Sequence, residues 1–403
     1  MKNLKSLTVW SHDDVSVAPV CLGKLDTNTF AFDYCETWSK SSEARRFNPI
    51  GALPETPLAA SLITDSLPDS WGRGLIKRLG LATARKNEVL FVETTDADVL
   101  AGVTDSVRMG AYRFSQTGDD TNAPQTFVGV STRALPRQGD LKTFLELAAT
   151  YEAGDSMSVQ TLSPLVEFGA SLGGSRPKVN FVGEDGALWI AKLPSIHDER
   201  NYGAWEYVAF SLARDCGIKV PEFGLVNKSI FVTKRFDRTS DGKRRHYFST
   251  RALLGAQKNR EARSYLEILG LIERICGNRS DDIEELFRRV VFKIMISDGD
   301  DHLRNHGFLL TENGWSLAPA FDMTPSTTSE HLVLTWDEKC PCFNLKGLIS
   351  AAPIWGIGVE RAREIVDECR EAVSRWEEKA REAGLSDDEI KAMAPAFRHN
   401  QPV

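Results

Sequence analysis

The sequence predicts an α+β fold whose N-terminal part is rich in strands and whose C-terminal part is mainly helical. Apolar and polar residues nearly alternate over residues 5–35, which predicts short strands. Residues 168–232 carry, in order, a glycine- and serine-rich loop, two apolar strands, a helical stretch and further strands. Beyond residue 250, apolar residues recur at spacings of three and four, a pattern typical of helices that bury one face.

The length of the chain favours several compact parts over a single core. At 403 residues it exceeds the size at which one hydrophobic core stops growing. We expect three parts, with boundaries at 1–115, 116–245 and 246–403. A helical pattern from Leu58 to Leu81 belongs to the first part. Polar residues, glycine and proline dominate residues 115–140, which predicts a linker or exposed loop.

Composition disfavours several classes of protein. The formal net charge is −7, from 49 basic and 56 acidic residues, so direct binding to a nucleic-acid backbone is disfavoured. No apolar run approaches the roughly 20 residues that a membrane span requires. The seven cysteines are odd in number and scattered, and the chain starts without a signal segment, so we expect free thiols in a reducing cytoplasm. The Cys340-Pro-Cys342 spacing is too short for a usual zinc knuckle.

Three local patterns predict elements in the C-terminal part. The runs 307–310 and 315–318 flank Thr-Glu-Asn-Gly, which predicts a hairpin because Asn-Gly supplies the positive backbone dihedrals of a tight turn. Ser386 with Glu389 fits a capping box for a short helix. An apolar helical stripe runs directly towards Asp298, and its members are Ile283, Leu286, Phe287, Val290, Val291 and Ile294.

The residues around position 300 meet the needs of phosphoryl transfer. That reaction requires metal-held phosphates, a cation near them and a carboxylate that orients the attacking hydroxyl. Asp300 and Asn305 stand five apart, as do the base and the metal-binding asparagine of the kinase pattern His-Arg-Asp-x-x-x-x-Asn. Asp322 follows the predicted hairpin, as the metal-binding aspartate of kinases follows theirs. We predict Asp300 as the base or hydroxyl-orienting group, and Asn305 and Asp322 as Mg²⁺ ligands.

Two charged residues and a histidine complete the predicted site. Lys192 ends an apolar strand and is placed to reach the α- and β-phosphates of ATP. Glu206, early in the following helix, is predicted to pair with Lys192 and fix its position. His302 has two interpretations: a second general base or metal ligand, or a structural histidine that hydrogen-bonds within a tight loop. The sequence thus predicts an ATP- and Mg²⁺-dependent kinase.

Six segments, in order along nearly the whole chain, resemble the HipA-type serine/threonine kinases, which are toxins of bacterial toxin–antitoxin pairs. The resemblance implies a bilobal protein-kinase-like fold in which 1–115 is the HipA N-terminal-type subdomain, 116–245 the nucleotide-binding lobe and 246–403 the helical catalytic lobe. The matching segments are the N-terminal signature Ser66–Arg73, the phosphate loop Ser171–Lys178, the ATP-lysine strand Ala191–Pro194, the hinge-following motif Arg235–Arg238, the catalytic loop Asp300–Asn305 and the metal-aspartate segment Leu317–Asp322.

The resemblance also assigns nucleotide contacts and a modification site. It implies that Ser171 autophosphorylates, which ejects the loop and inactivates the kinase, because a phosphate adds nearly two negative charges beside those of ATP. Lys234 and Phe236 would offer backbone groups to the adenine, and Arg304 a cation to the transferring phosphate. The expected contacts to ATP and Mg²⁺ are Ser171, Gly173, Gly174, Ser175, Lys178, Lys192, Glu206, Lys234, Phe236, His302, Arg304, Asn305 and Asp322.

The family resemblance implies partners as well. The usual partner is a small, HipB-like helix-turn-helix antitoxin that carries the DNA binding, and family substrates include an aminoacyl-tRNA synthetase. Asp298 stands where the family more often has Asn, and Asp301 where it often has Gly or Ala, which adds negative charge near the metal ligands. Two alternatives stay open: a small-molecule kinase, and a catalytically weak co-repressor that acts with a DNA-binding antitoxin.

Overall fold

A computed structural model describes residues 5–16, 18–39, 61–116, 126–255, 264–337 and 339–400. Residues 58–60 of the predicted helical stretch, residues 117–125 of the predicted linker and one residue of the strand pattern, Val17, lie outside these ranges. Helices and strands are mixed, so the predicted α+β class is confirmed. The first unit comprises Met1–His197, Lys234–Phe248 and Ala252–Gly255, and the second comprises Asp198–Thr233, Ser249–Arg251 and Ala256–Val403. The three-part division stays a prediction.

The first unit begins with an antiparallel sheet of β1 (Ser6–Ser11), β2 (Val20–Asp26), β3 (Phe32–Tyr34) and β4 (Tyr112–Gln116). The strand order is β3-β2-β1-β4. Leu7 pairs with Leu25 of β2, and Val9 pairs with Phe114 of β4. All four side chains are buried, because residues two apart in a strand and their cross-strand partners share one face. The strands predicted over residues 5–35 are confirmed.

Helices and a second strand pair complete the first unit. The helix α2 (Ser70–Lys86) covers residues 70–81 of the predicted helical stretch and continues beyond it. It packs against α5 (Val159–Gly169), and the glycine- and serine-rich loop begins where α5 ends. The elements are α1 (Glu36–Ser39), α2 (Ser70–Lys86), α3 (Asp96–Gly102), α4 (Leu141–Glu152), α5 (Val159–Gly169), β5 (Lys178–Val182) and β6 (Leu188–Lys192).

A buried carboxylate organises residues 234–248 of the first unit. Asp237 is 1% exposed and accepts two hydrogen bonds from Arg235, at 2.7 Å from Nε and 2.6 Å from Nη2. Arg238 Nη1 donates to the same carboxylate at 2.8 Å, and the amide of Gly110 at 2.7 Å. Burial alone would raise the pKa of Asp237, but the two guanidinium groups outweigh it and hold the pKa below its ordinary value. The carboxylate is therefore ionised and well hydrogen-bonded.

The variant Asp237→Asn tests this network. It keeps the shape of the side chain but removes the counter-charge of two buried guanidinium groups, so the free energy of unfolding near neutral pH should fall by about 3 kcal/mol. Urea denaturation followed by circular dichroism measures the change. Asp241→Asn, at an exposed position of the nearby turn, is the matched control and should alter stability by less than about 0.5 kcal/mol. Equal losses in the two variants would contradict the role of the buried network.

The second unit is mainly helical. It begins with α6 (Tyr202–Asp215) and the antiparallel pair β7 (Phe223–Val226) and β8 (Ile230–Lys234). The last residue of β8, Lys234, belongs to the first unit, and β9 (Tyr247–Ser249) and α7 (Thr250–Leu253) also contain residues of both units. The others are α8 (Tyr265–Ile275), α9 (Arg279–Met295), β10 (Gly307–Thr311), β11 (Gly314–Leu317), α10 (Leu345–Ala351), α11 (Val359–Ser374), α12 (Trp376–Glu382) and α13 (Asp387–Met393).

The helix α9 is the buried centre of the second unit. It packs against α8 and α11. The predicted apolar stripe from Leu286 to Ile294 is fully buried, while Ile283 at its start is half-buried. The helix ends at Met295, immediately before the segment that carries the predicted catalytic residues. The stripe therefore fixes where that segment leaves the core.

The predicted hairpin and capping box are confirmed, with one difference in the hairpin turn. Thr311 pairs with Gly314, so the turn residues are Glu312 and Asn313. Gly314 has φ of +92°, whereas Asn313 has none of the positive dihedral that we expected of the Asn-Gly pair. The glycine is thus required after the turn, where the chain re-enters the strand. In the capping box, the hydroxyl of Ser386 accepts from the Glu389 amide, and the Glu389 carboxylate accepts from the Ser386 amide.

The structure corrects the expectation that all cysteines are free thiols. Cys340 and Cys342 form a disulfide, with Cα atoms 5.2 Å apart. This separation lies within the usual range for disulfides, so a single intervening residue does not prevent the bond. Cys216, Cys276 and Cys369 are buried free thiols. In the described part of the chain, no helix has both the length and the apolar character needed to cross a bilayer.

Candidate active site

The predicted site residues lie in both units. We call those of the first unit, residues 171–178 with Lys192, Lys234 and Phe236, the nucleotide half. We call those of the second unit, Glu206 with residues 297–305 and Asp322, the catalytic half. The proposed pairing of Lys192 with Glu206 involves both halves and stays a prediction; Glu206 itself is a buried residue of α6.

The loop of the nucleotide half begins with a buried serine. Ser171 is 4% exposed, and its hydroxyl accepts a hydrogen bond from Asn180 Nδ2 at 2.9 Å. The same nitrogen donates to the carbonyl of Phe168 at 2.8 Å. The side-chain oxygen of Asn180, Oδ1, accepts from Arg235 Nη1 at 2.8 Å. Asn180 therefore connects the loop serine to the buried network around Asp237.

The loop folds closely around the ammonium group of Lys178. Its Nζ donates to the carbonyl of Arg176 at 2.8 Å. Gly174 has φ of +88°, and a Cβ placed on it would lie 3.1 Å from this Nζ. A residue with a side chain would be strained there by its backbone and crowded by the lysine. The glycine is needed for both reasons.

Two of the predicted phosphate-binding lysines lie directly opposite each other. Lys178 and Lys192 are Cα partners in the antiparallel pair of β5 and β6. Directly opposed residues share one face of a sheet, so both ammonium groups start from the same face at the end of the glycine loop. A bound polyanion would attract both ammonium groups at once. The arrangement suits a triphosphate.

The other two residues of the nucleotide half have defined contacts. Lys234 Nζ lies 2.8 Å from the carboxylate of Asp185, and this hydrogen bond lowers the pKa of Asp185. The ring of Phe236 packs at 5.5 Å from that of Tyr247. Between the two, the amide of Arg235 donates to a carbonyl of β6 at 2.9 Å. The predicted adenine contacts of Lys234 and Phe236 stay predictions.

The catalytic loop of the second unit starts at a strained residue. Ser297 has φ of +51°, and its hydroxyl donates to the carbonyl of Ala396 at 2.7 Å. Positive φ is unfavourable for a residue with a side chain, and such residues concentrate at functional sites. The side chains of Asp300 and Arg304 are exposed further along the loop. The predicted base and the predicted phosphate-contacting cation are therefore both accessible.

The side chain of Asn305 is oriented by its neighbour. Its Nδ2 donates to the backbone carbonyl of Asp300 at 3.1 Å, and its backbone N–H donates to the carbonyl of His302 at 2.8 Å. With the nitrogen used in this way, Oδ1 is the atom of the side chain that is suited to a metal ion. Asn305 thus fixes the backbone of Asp300 and keeps an oxygen for coordination.

The segment of Asp322 is bonded to the catalytic loop within the second unit. Asp322 has φ of +58° and an exposed side chain. Two residues on, the amide of Thr324 donates to Asp298 Oδ2 at 3.4 Å, and the amide of Val333 donates to the carbonyl of Gly299 at 3.0 Å. The second unit therefore brings the segment of Asp322 to the loop of Asp300 and Asn305.

The donor set of these residues fits Mg²⁺. An amide oxygen from Asn305 and a carboxylate from Asp322 are hard oxygen ligands of the kind that Mg²⁺ takes, few in number and completed by phosphate and water. The described residues contain no group of three or more His, Cys, Asp or Glu side chains that could hold a metal ion. Asn305 and Asp322 would hold such an ion together with phosphate oxygens and water.

A buried lysine explains the two additional aspartates of the loop. Lys293 is 3% exposed, and its Nζ lies 2.8 Å from Asp298 Oδ2 and 3.2 Å from Asp301 Oδ1. Asp301 also accepts from the hydroxyl of Tyr265 at 2.5 Å and lies 3.0 Å from His306 Nε2. Asp298 and Asp301 therefore hold the loop in place on either side of Asp300, and their charge faces Lys293.

The two buried carboxylates differ in acidity. Burial raises the pKa of Asp298 to about 6, because Lys293 offsets only part of the burial and Asp301 adds repulsion. Burial would also raise the pKa of Asp301, but His306, Lys293 and Tyr265 outweigh it and hold the pKa below its ordinary value. Asp301 is thus the stronger acid of the pair. The ionised form of Asp298 is the one that its burial destabilises.

One ring nitrogen of His302 lacks the hydrogen bond expected of a structural histidine. Its Nδ1 is buried and has no hydrogen-bond partner among the described residues. The interpretation as a second base or metal ligand stays open beside the structural one.

Sequence reasoning missed Lys293, Asn180 and Tyr265. Lys293 had a detectable signal, because it lies three residues after Val290 and so shares the apolar stripe of α9, where a lysine is expected only with buried partners. The other two have no such local signal. Asn180 meets Arg235 across 55 residues, and Tyr265 meets Asp301 across 36.

The overall fold is that of a solved toxin–antitoxin protein. A chain from the complex of the Shewanella oneidensis MR-1 toxin–antitoxin proteins HipA and HipB with operator DNA matches with a TM-score of 0.65. The match covers 98% of this chain and 95% of that chain, at 17% sequence identity. The likeness defines the fold class, a HipA-type α+β protein.

The family follows from a match to its sequence model. The model of the HipA-like C-terminal domain matches residues 170–376, about half of the chain, so the chain belongs to this family. A Haemophilus influenzae protein named "Putative kinase" is 25% identical over an alignment that covers 40% of this chain and 54% of the relative. A Sinorhizobium fredii protein named "Putative kinase Y4dM" is 28% identical over 34% of this chain and 37% of the relative. The matches thus span about half and about a third of the lengths of these relatives.

Substitutions of the two buried aspartates should change stability in opposite directions. The folded pKa of Asp298, about 6, exceeds its unfolded value of roughly 3.9, so the folded state binds more protons between about pH 4 and pH 6. Stability therefore falls as the pH rises through this window. Asp298→Asn should raise the free energy of unfolding at about pH 8 by about 1 to 3 kcal/mol and flatten this pH dependence.

Asp301→Asn should lower the free energy of unfolding by about 3 kcal/mol, because Lys293 and two further partners lose their ionised acceptor. Urea titrations at about pH 5 and about pH 8 measure both variants. Asp367→Asn, at an exposed position of α11, controls for the general effect of removing a carboxylate. Destabilisation by Asp298→Asn at the higher pH would contradict the assignment.

Proposed function

We propose that this chain is a kinase that uses ATP and Mg²⁺ to phosphorylate a serine or threonine hydroxyl of a protein. The observation that carries the proposal is how the catalytic half holds its predicted site residues together. Asp300 is exposed on a loop anchored on both sides, Asn305 holds its carbonyl, and the segment of Asp322 is bonded beside them. The names of the two curated relatives agree with this proposal.

The predicted site residues have distinct roles in this reaction. The carboxylate of Asp300 accepts a hydrogen bond from the acceptor hydroxyl and takes its proton as the hydroxyl oxygen bonds to the γ-phosphorus of ATP. The bond between that phosphorus and the β–γ bridging oxygen breaks in the same step, and ADP leaves. Lys178 and Lys192 neutralise the phosphates of ATP, and Arg304 contacts the group in transfer. Asn305 and Asp322 would hold Mg²⁺, which when bound neutralises the charge that develops on the phosphates.

The buried position of Ser171 supports inhibitory autophosphorylation. Its hydroxyl is 4% exposed and bonded to Asn180, so the loop must move before this serine can reach any phosphate donor. Once modified, the serine carries nearly two negative charges, and a buried phosphate of that charge is costly without compensating cations. A phosphorylated Ser171 would therefore stay out of its buried position beside Asn180, and the displaced start of the loop would leave the enzyme inactive.

The solved structure suggests the partner. Its complex contains HipB and operator DNA beside HipA, so we propose that this chain is the toxin component of a cytoplasmic toxin–antitoxin pair with a HipB-like helix-turn-helix antitoxin. The net charge of −7 fits contact with DNA through that partner. An aminoacyl-tRNA synthetase is the protein substrate that the family resemblance suggests.

Loss of either acidic group should abolish phosphoryl transfer. Asp300→Ala and Asp322→Ala should each reduce phosphate incorporation from labelled ATP by about 10²-fold or more, because the first removes the base and the second a metal ligand. The purified protein is incubated with ATP and Mg²⁺, with protein and small-molecule acceptors in separate reactions. Asp367→Asn is the surface control and should retain full activity. Incorporation that survives in either alanine variant would exclude the mechanism.

Ser171→Ala should separate self-labelling from substrate labelling. The variant lacks the acceptor hydroxyl, so phosphate on the loop should disappear from the mass spectrum of the 171–178 peptide. Labelling of an added protein substrate should persist, since Ser171 has no part in the transfer itself. Phosphate that remains on the kinase at full stoichiometry would show that another residue is modified and would overturn the assignment of Ser171.

A further inference from the structure

The aspartate at the start of α2 is in a capping position, yet its side chain does not cap the helix. Asp69 is the N-cap residue of α2, where an aspartate normally accepts a hydrogen bond from an amide of the first turn. No such bond forms. Instead, Asp69 Oδ2 accepts from the amide of Gly174 at 3.0 Å, across 105 residues of sequence. The side chain thus serves the glycine loop.

A second contact from the same helix start completes the attachment. The amide of Trp71 donates to the carbonyl of Gly174 at 3.3 Å. Both backbone groups of Gly174 are therefore bonded to the segment at the start of α2. A Cβ on Gly72 would clash with the carbonyl of Ala170, so this segment also lies against the beginning of the loop.

We propose that Asp69 is a positioning residue for the nucleotide loop, a role that rests on the proposed function of the loop as a phosphate cradle. The segment Ser66–Arg73, in which Asp69 lies, has no part in the mechanism above. A loop of glycines has few side chains with which to order itself, and its freedom is lost when a nucleotide binds. Asp69 supplies that order beforehand, so the loop is already shaped when ATP arrives.

The chemistry of the contact sets what each substitution should do. A carboxylate that accepts from a backbone amide makes a stronger hydrogen bond than a neutral acceptor does. Asp69→Asn retains an oxygen in the same place, whereas Asp69→Ala retains none. Glu93→Gln is the matched control, because the side chain of Glu93 pairs with Lys77 of α2 and is 70% exposed.

The first measurement is hydrogen exchange at the amide of Gly174 in the full chain. Asp69→Ala should accelerate this exchange, since the amide loses its acceptor, while Asp69→Asn and Glu93→Gln should leave it near the wild-type rate. This result is independent of catalysis, so it decides the contact even if the chain transfers no phosphate. Unchanged exchange in Asp69→Ala would overturn the proposal.

The second measurement is the steady-state kinetics with ATP as the varied substrate. Asp69→Ala should raise KM for ATP about tenfold, the equivalent of one hydrogen bond to a charged group, with kcat within about twofold of wild type. Asp69→Asn should recover most of the loss. A fall in kcat at constant KM, or a fall in KM, would overturn the positioning role. Melting temperatures of all variants identify any substitution that fails to fold. If Asp69→Ala does not fold, Asp69→Gly replaces it in both measurements, because it also lacks the acceptor and glycine is tolerated at a helix N-cap.

Discussion

The catalytic half depends on one buried ammonium group. Lys293 lies at the end of α9, and two carboxylates that stand on either side of Asp300 in the sequence share it. A carboxylate without a nearby counter-charge is expensive to bury, so the position of Lys293 determines where both can lie. Because Asp298 and Asp301 turn inward to Lys293, Asp300 between them is the one left exposed. The accessible aspartate is a consequence of the two buried ones.

The nucleotide half follows the same rule with the charges reversed. Here a single buried carboxylate, Asp237, pairs with two guanidinium groups. One of them, that of Arg235, donates to Asn180, which in turn donates to Ser171. The loop itself is short of side chains that could hold it. Its conformation is therefore imposed from outside, and its small residues are those that permit close approach. In both halves, the predicted site residues owe their positions to charged networks that solvent does not reach.

Local patterns in the sequence predict the elements well and the networks poorly. The early strands, the stripe of α9, the hairpin and the capping box at Ser386 each depend on neighbours in sequence, and each was confirmed. Asp300 and Asn305 were proposed from one short motif, and their roles stay predictions. The contact of Asp69 with Gly174 was not predictable, since an aspartate before a helix looks the same in sequence whether it caps that helix or binds a loop 105 residues away. The disulfide of Cys340 was missed for a similar reason, because spacing alone does not reveal how the chain bends.

The two anchors of the glycine loop differ in kind, and the difference bears on its proposed control. Ser171 is held through its own side chain, so a phosphate on its oxygen removes the hydrogen bond from Asn180 directly. Gly174 is held through its backbone, which modification of a side chain does not touch. Phosphorylation would therefore release the beginning of the loop while the contacts at Gly174 stay intact. Such a partial release needs less energy than detachment of the whole loop, and it leaves Lys178 in place at the start of β5.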